Sequence, residues 1–194
     1  MSWISDYDTS EDGMRYGLIE PDNLSKFEEL IKEKKDGILL DLGIKSNRFY
    51  IEYRSKLCEQ FVGLDLDKQR TMNIKKGKLY KKFNNFHYIH SDAKHIPLRD
   101  NSVDVITMLG LMGEKVLDYV TDYSNKLIEK TREEKVKKLI EDSYRVLKED
   151  GILIISNNRE SSPIISTEKL LKSYFSNVQL IGGLERYLLV CRKH

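Results

Sequence analysis

Residues 37–49 of the chain read GILLDLGIKSNRF and combine an apolar run, an acid and a glycine. The run Ile38-Leu39-Leu40 is typical of a buried strand; it is followed by Asp41, and Gly43 comes two residues later. A helix-compatible segment begins near Arg48. Doubly wound α/β proteins begin a nucleotide or nucleoside site in this way, with a strand that delivers a carboxylate and a glycine turn to a helix. The stretch therefore predicts an α/β fold with a ligand site at its first turn.

A second apolar run, residues 61–64, ends on Asp65-Leu66-Asp67. In a right-handed βαβ unit the second strand lies beside the first, so a carboxylate at its C-terminal end can accept hydrogen bonds from both hydroxyls of a ribose. We expect Asp65 to be this acceptor. Asp67 is the alternative, although it can instead cap the next helix, and both acids could serve only as caps.

Strand and helix patterns alternate along the rest of the chain. A third strand (FHYIH, residues 86–90) is followed by Asp92, which adds another acid at the same edge of the predicted sheet. Residues 114–149 form the longest helical stretch, read as two helices joined by a polar bend at residues 131–134. The remaining predicted strands are residues 103–109, residues 152–155, and a C-terminal hairpin of residues 178–181 and 187–191.

Other classes of function have weaker support. Residues 68–86 interleave lysines with aromatic residues, as nucleic-acid-binding segments do, but such a run is more often the solvated face of a helix, and the net charge of the chain is only +2. His87 and His90 fall on opposite faces of a strand, so no metal site is predicted. We expect a small-molecule substrate, with nucleic acid as the less favoured partner.

The composition indicates one globular domain of ordinary size, since 40% of the 194 residues are hydrophobic and 33% are charged. Cys58 and Cys191 predict reduced thiols, and the absence of a leader-like or membrane-spanning segment predicts a cytoplasmic protein. Residues 1–36 are expected to form an N-terminal arm and a capping helix, and residues 37–194 the main domain. Within that domain, residues 114–135 are expected to form a helical cover over the substrate.

The order of elements and four motifs resemble the class I (Rossmann-like) S-adenosylmethionine-dependent methyltransferase family. The resemblance runs from Ile38 to Arg192 and rests on ILLDLG, FVGLDLD, SDAKHIPLRDNSVDVI (residues 91–106) and SYRVLKEDGILIIS (residues 143–156). It implies a three-layer sandwich around a mostly parallel seven-stranded sheet whose last strand is antiparallel. It also implies a methyltransferase that uses S-adenosylmethionine.

The resemblance assigns the cofactor to residues at the ends of the first three strands. Asp41 would orient the methionine end, and Gly43 would bring the backbone close to the cofactor. Asp65 would hold the ribose hydroxyls, and Asp92 would accept a hydrogen bond from the adenine amino group. The full set of implied cofactor-binding residues is Asp41, Gly43, Asp65, Leu66, Asp92 and Ala93.

The chain departs from the family pattern at two places. Lys45 and Asn47 stand where the family usually carries glycines, which leave room for the ligand and permit unusual φ angles. Leu109 to Met112 replace the motif by which family members methylate exocyclic base nitrogens, and no catalytic residue stands out. Two hypotheses follow: a methyltransferase acting on a small molecule, or a methyltransferase-fold binding subunit without activity.

Overall fold

The strands of the protein form a seven-stranded sheet in the order β3-β2-β1-β4-β5-β7-β6. The computed structural model of the chain describes residues 19, 21–44, 48–109, 125–158, 164–182 and 186–194. The described strands are β1 (Ile38–Leu42), β2 (Gln60–Asp65), β3 (Phe86–His90), β4 (Val103–Leu109), β5 (Leu147–Asn158), β6 (Asn177–Gly182) and β7 (Arg186–Arg192). The described helices are α1 (Pro21–Lys32), α2 (Arg48–Ser55), α3 (Lys68–Lys76), α4 (Leu79–Lys82), α5 (Asn125–Val146) and α6 (Ile164–Leu171).

The sheet has the predicted direction of strands. β1 pairs in parallel with β2 on one side and with β4 on the other, and β3 and β5 continue the parallel arrangement. β7 runs antiparallel to both of its neighbours, β5 and β6. The strands that follow β1 therefore lie on both sides of it, β2 and β3 on one side and β4 and β5 on the other. In open α/β sheets, ligands bind outside the carboxyl ends of the strands at the point where the strand order reverses in this way. The predicted fold class is confirmed.

Helices cover both faces of the sheet because the central strands are apolar on both sides. On one face, Leu40 and Leu42 of β1 belong to a buried cluster with Leu139 and Ile140 of α5. On the other face, Leu39 belongs to a second cluster that includes residues of α1, α2 and α3. Alternation along β1 thus places successive side chains in two separate cores, which gives the three layers.

The helical stretch before β5 differs from the prediction. α5 is a single helix that runs without a break through residues 131–134, so the predicted polar bend at these residues is wrong. The four residues Thr-Arg-Glu-Glu include neither glycine nor proline, and charged side chains are compatible with a helix interior. The other residues of the predicted cover segment, 114–124, lie outside the described part of the chain.

β5 begins five residues earlier than predicted, at Leu147 rather than Ile152. Leu147 pairs with Val103 and Ile152 pairs with Val105, so the register shifts between these two positions. Asp150 has a φ of 58° within the extra segment, and this left-handed residue accommodates the additional length as in a β-bulge. Asp150 and Gly151, which precede the predicted start at Ile152, therefore lie inside the strand.

Arg145 joins two of the motifs on which the family resemblance rests. Its Nε donates to Asp142 Oδ1 at 2.7 Å, and its Nη1 donates to Asp100 Oδ1 at 2.6 Å and to the carbonyl oxygen of Leu98 at 2.9 Å. Its Nη2 donates to the carbonyl oxygen of Ile96 at 2.8 Å. The pKa of Arg145 is raised, first by the hydrogen bond to Asp142. Arg145 therefore fixes the loop before β4 to the end of α5.

Candidate functional site

Backbone hydrogen bonds bring the ends of β1, β2 and β3 together at the carboxyl edge of the sheet. The amide of Gly43, just after β1, donates to the carbonyl oxygen of Leu64 in β2 at 2.8 Å. The amide of Ser91, just after β3, donates to the carbonyl oxygen of Asp65 at 3.1 Å. The acids predicted from the sequence to lie at strand ends, Asp41, Asp65 and Asp92, therefore lie along one edge.

The turn after β1 depends on two glycines. Gly43 has a φ of 79°, a left-handed conformation that favours glycine. Gly63 in β2 lies directly under the turn, since a Cβ added to it would come within 2.2 Å of Ile44 Cδ1. From the sequence, Gly63 is predicted only to be part of a strand. The structure shows that it allows the turn to lie close against β2.

Asp41 is 1% exposed and accepts hydrogen bonds from two hydroxyl groups. Tyr50 Oη donates to Oδ2 at 2.5 Å, and Thr107 Oγ1 in β4 donates to Oδ1 at 2.6 Å. Burial raises the pKa of Tyr50 well above its ordinary value, so the phenol keeps its proton for this bond. The guanidinium of Arg54 lies 5.0 Å from the centre of the Tyr50 ring and 4.2 Å from that of Phe27. Asp41 thus joins β1 to α2 and β4, and its contact with the methionine end of a cofactor stays a prediction.

Asp65 and Asp67 have different partners, which separates the two candidate ribose acceptors. Asp67 is the N-cap of α3, and its Oδ1 accepts the amides of Gln69 and Arg70. Asp65 is 7% exposed and lies outside the helix: its Oδ1 accepts the amide of Asp67 at 2.7 Å, and its Oδ2 accepts Nη1 of Arg70 at 2.7 Å. Of the two acids only Asp67 acts as a cap, and the role of Asp65 as the ribose acceptor stays a prediction.

Asp92 lies two residues after the end of β3. Its Oδ1 accepts the amide of Lys94 at 3.0 Å, and its Oδ2 lies 3.1 Å from Lys94 Nζ. Between Asp65 and the β3 end lies Leu66, whose side chain is 53% exposed although it is apolar. The carbonyl oxygen of Leu66 lies 3.0 Å from His90 Nε2. Leu66 is thus an exposed apolar residue that directly follows Asp65.

The acids of this edge can accept further hydrogen bonds, and their binding of a nucleoside stays a prediction. Carboxylate oxygens have more lone pairs than the donors that now engage them, so Asp65 can accept ribose hydroxyls and Asp92 can accept an exocyclic amino group. The exposed face of Leu66 suits the flat apolar surface of a purine. Lys45 and Asn47, which would decide how closely a ligand approaches the first turn, lie outside the described residues.

The described part of the chain contains neither a metal-binding cluster nor a membrane-spanning helix. No group of three or more His, Cys, Asp and Glu side chains there is arranged to hold a metal ion. None of the helices built from those residues is both long and apolar enough to cross a membrane. Cys58 and Cys191 are free and buried, and burial raises the pKa of each thiol to about 12. That the two thiols are reduced stays a prediction.

The model of a known protein family, the methyltransferase domain, matches residues 40–155 of the chain. The chain belongs to the methyltransferase domain family. The matched segment extends from β1 into β5 and includes all three acids of the carboxyl edge. The family predicted from the sequence motifs is therefore confirmed. No sequence among curated proteins matches this methyltransferase domain.

Solved structures share the fold of this methyltransferase domain at low sequence identity. A SAM-dependent methyltransferase from Aquifex aeolicus is 19% identical, with a TM-score of 0.65 over 97% of this chain and 95% of that one. The PH0226 protein from Pyrococcus horikoshii is 17% identical, with a TM-score of 0.64 over 93% and 95% of the two chains. The cyclase SpnF is 14% identical, with a TM-score of 0.60 over 87% and 80%. These similarities concern the fold.

The partners of the acids were not found from the sequence. Asp41 accepts hydrogen bonds from Tyr50 and Thr107. Asp65 pairs with Arg70, and Asp92 pairs with Lys94. The sequence contains a weak indication that Arg70 lies near the acids. It follows the capping acid Asp67 by three residues and therefore lies on the same side of α3. For Thr107 there was none, since it lies 66 residues from Asp41 and meets it only through strand pairing.

Proposed function

We propose that this methyltransferase domain binds S-adenosylmethionine at the carboxyl edge of its sheet and transfers the methyl group to a small molecule. The observation that carries the proposal is the position of Asp65: a buried carboxylate at the end of β2, outside the helix cap, beside the glycine turn of β1. When bound, S-adenosylmethionine supplies an electrophilic methyl group on a sulfonium. The solved relative from Aquifex aeolicus is described as SAM-dependent, which supports the choice of cofactor.

Each residue of the edge would then have one task in binding. Asp65 would accept the ribose hydroxyls, and Asp92 would accept the adenine amino group, with Ala93 presenting its amide to the ring. Leu66 would pack against the purine, because its exposed apolar side chain loses unfavourable contact with water when covered. Gly43, without a side chain, would let the backbone approach the amino-acid end.

The proposed reaction needs little acid–base chemistry from the protein. Displacement at a methyl carbon of a sulfonium requires that an acceptor atom lie in line with the bond that breaks, and alignment alone can provide a large part of the rate enhancement. Binding of the two substrates in a fixed relative position is then the main catalytic contribution of the chain. No catalytic residue is assigned.

A small molecule is the favoured acceptor for two reasons. The nearly balanced charge of the chain, +2, gives no general attraction to nucleic acid, and the segment after β4 lacks the motif for exocyclic base nitrogens. Residues 1–18 and 114–124, expected to cover the acceptor, lie outside the described residues. We also assign the protein to the cytoplasm, and its two buried, free thiols support this.

The alternative is a methyltransferase fold that binds a ligand or partner without transferring a methyl group. Lys45 and Asn47, in place of the usual glycines, favour it. One fold can host different chemistry, and the similar structure of SpnF is that of a cyclase. The two hypotheses differ in a single observable, the transfer of the methyl group.

A transfer assay with methyl-labelled S-adenosylmethionine tests the proposal. The protein is incubated with a cell extract, and the products are separated by ultrafiltration into small molecules and macromolecules. We expect label in the small-molecule fraction, with the D65N variant as the inactive control. Label only in protein or RNA would contradict the proposed acceptor class. No transfer by a protein that binds the cofactor would favour the inactive alternative.

A further inference from the structure

Arg70 forms an ion pair with Asp65, the acid proposed above to accept the ribose hydroxyls. Its Nη1 donates to Asp65 Oδ2 at 2.7 Å, and the amide of Asp67 takes the other carboxylate oxygen. Both oxygens of the acid therefore already have one donor from the protein. A ribose hydroxyl that donates to Oδ2 would therefore compete with the guanidinium of Arg70.

The same nitrogen of Arg70 reaches across to the first turn. Nη1 lies 3.3 Å from the carbonyl oxygen of Ile44, the residue after Gly43. Arg70 Nε also lies 3.5 Å from Asp67 Oδ2. The side chain thus extends from the first turn of α3 past Asp65 to the turn after β1. A ribose held by Asp65 would compete with this side chain for the carboxylate.

The contact is strong enough to compete with a ligand and weak enough to be displaced. The side chain of Arg70 is 42% exposed, so water and salt screen its attraction to the acid. Ion pairs of this exposure change an equilibrium by no more than about fivefold. Two ribose hydroxyls that donate to a charged acceptor gain considerably more than that. The ligand would therefore displace the arginine at a small cost in affinity.

We propose that Arg70 is a displaceable occupant of the ribose site that sets the cofactor affinity of this methyltransferase domain. The inference rests on the proposed function, because it takes Asp65 as the ribose acceptor. Arg70 lowers the affinity for the nucleoside by the strength of its own pair with Asp65. Conditions that weaken the pair strengthen cofactor binding, so affinity rises with ionic strength.

Titration calorimetry with S-adenosylhomocysteine tests the proposal on three forms of the full chain. This ligand lacks the sulfonium charge, so the effect of salt on its binding reports mainly on the protein. We expect R70A to bind about three- to fivefold more tightly than wild type at about 50 mM KCl. At about 500 mM KCl wild type should approach the affinity of R70A, whose own affinity stays nearly constant. K68A removes the same charge from the same turn of α3 and should behave as wild type.

Three outcomes are decisive. Binding by R70A that is equal to or weaker than that of wild type overturns the proposal and leaves the proposed function intact. An equal gain in K68A also overturns it, because the effect would then be one of general charge. Absence of binding by wild type and R70A alike at about 1 mM ligand overturns both the inference and the proposed function.

Discussion

The D65N variant should bind S-adenosylhomocysteine at least about 100-fold more weakly than wild type. The substitution keeps the size of the side chain but replaces a charged acceptor by an amide, one end of which is a donor. A hydrogen bond to a charged group contributes about 1.5–3 kcal/mol, so weakening two of them costs about 3 kcal/mol, or roughly 100-fold in affinity. Titration calorimetry under identical buffer conditions measures the difference.

D67N is the matched control for this experiment. Asp67 lies two residues away and caps α3, and asparagine is as good an N-cap as aspartate. We expect less than a twofold change in affinity for D67N. If D65N binds as tightly as wild type, or if D67N loses as much affinity, Asp65 is not the ribose acceptor.

The largest effect on stability is expected for R145A. Arginine at this position donates to two carboxylates and to the carbonyl oxygens of Ile96 and Leu98. Truncation leaves these acceptors without their donor, and the loss of such a partly buried network costs about 3 kcal/mol. For a chain of this size the corresponding fall in Tm is about 6–12 °C. Thermal and urea unfolding followed by circular dichroism measure both quantities.

Two further variants show whether the loss of stability in R145A comes from the charge of Arg145 or from the geometry of its hydrogen bonds. R192A removes a single ion pair, between Arg192 and Glu33, and should cost no more than about 1 kcal/mol. R145K keeps the charge but not the planar fork of donors, so it should recover only a small part of the lost stability. Full recovery by lysine would mean that charge alone, and not the geometry of the hydrogen bonds, connects the two motifs.

The sequence was sufficient for the strands of the sheet because their apolar runs are bounded by polar residues or glycine. β3 and β4 have the predicted bounds, and β2 extends one residue beyond the predicted run at each end. The errors occur where no such boundary exists. The charged segment at 131–134 contains no helix breaker, so α5 continues through it. In β5, Asp150 has a left-handed conformation, and the register between β5 and β4 shifts around it. Such a shift depends on the partner strand and is not visible in the sequence of β5 alone.

The candidate site could be predicted only in part. Acids at strand ends are visible in a sequence because each closes an apolar run, and parallel pairing then requires Asp41 and Asp65 to share an edge. Their partners depend on tertiary structure: Thr107 reaches Asp41 from another strand. The choice between Asp65 and Asp67 rests on which carboxylate faces the amides of α3, a distinction that spacing alone cannot make.

The most direct test of the central claim is calorimetric titration of the wild-type chain with S-adenosylmethionine and S-adenosylhomocysteine. The arrangement of Asp65, Leu66 and Asp92 predicts one site for both ligands, with a Kd between micromolar and a few hundred micromolar. K45G would show whether the lysine in the first turn weakens that site, since affinity should then rise. Absence of detectable heat for either ligand at about 1 mM would contradict the assignment of this edge as a cofactor site.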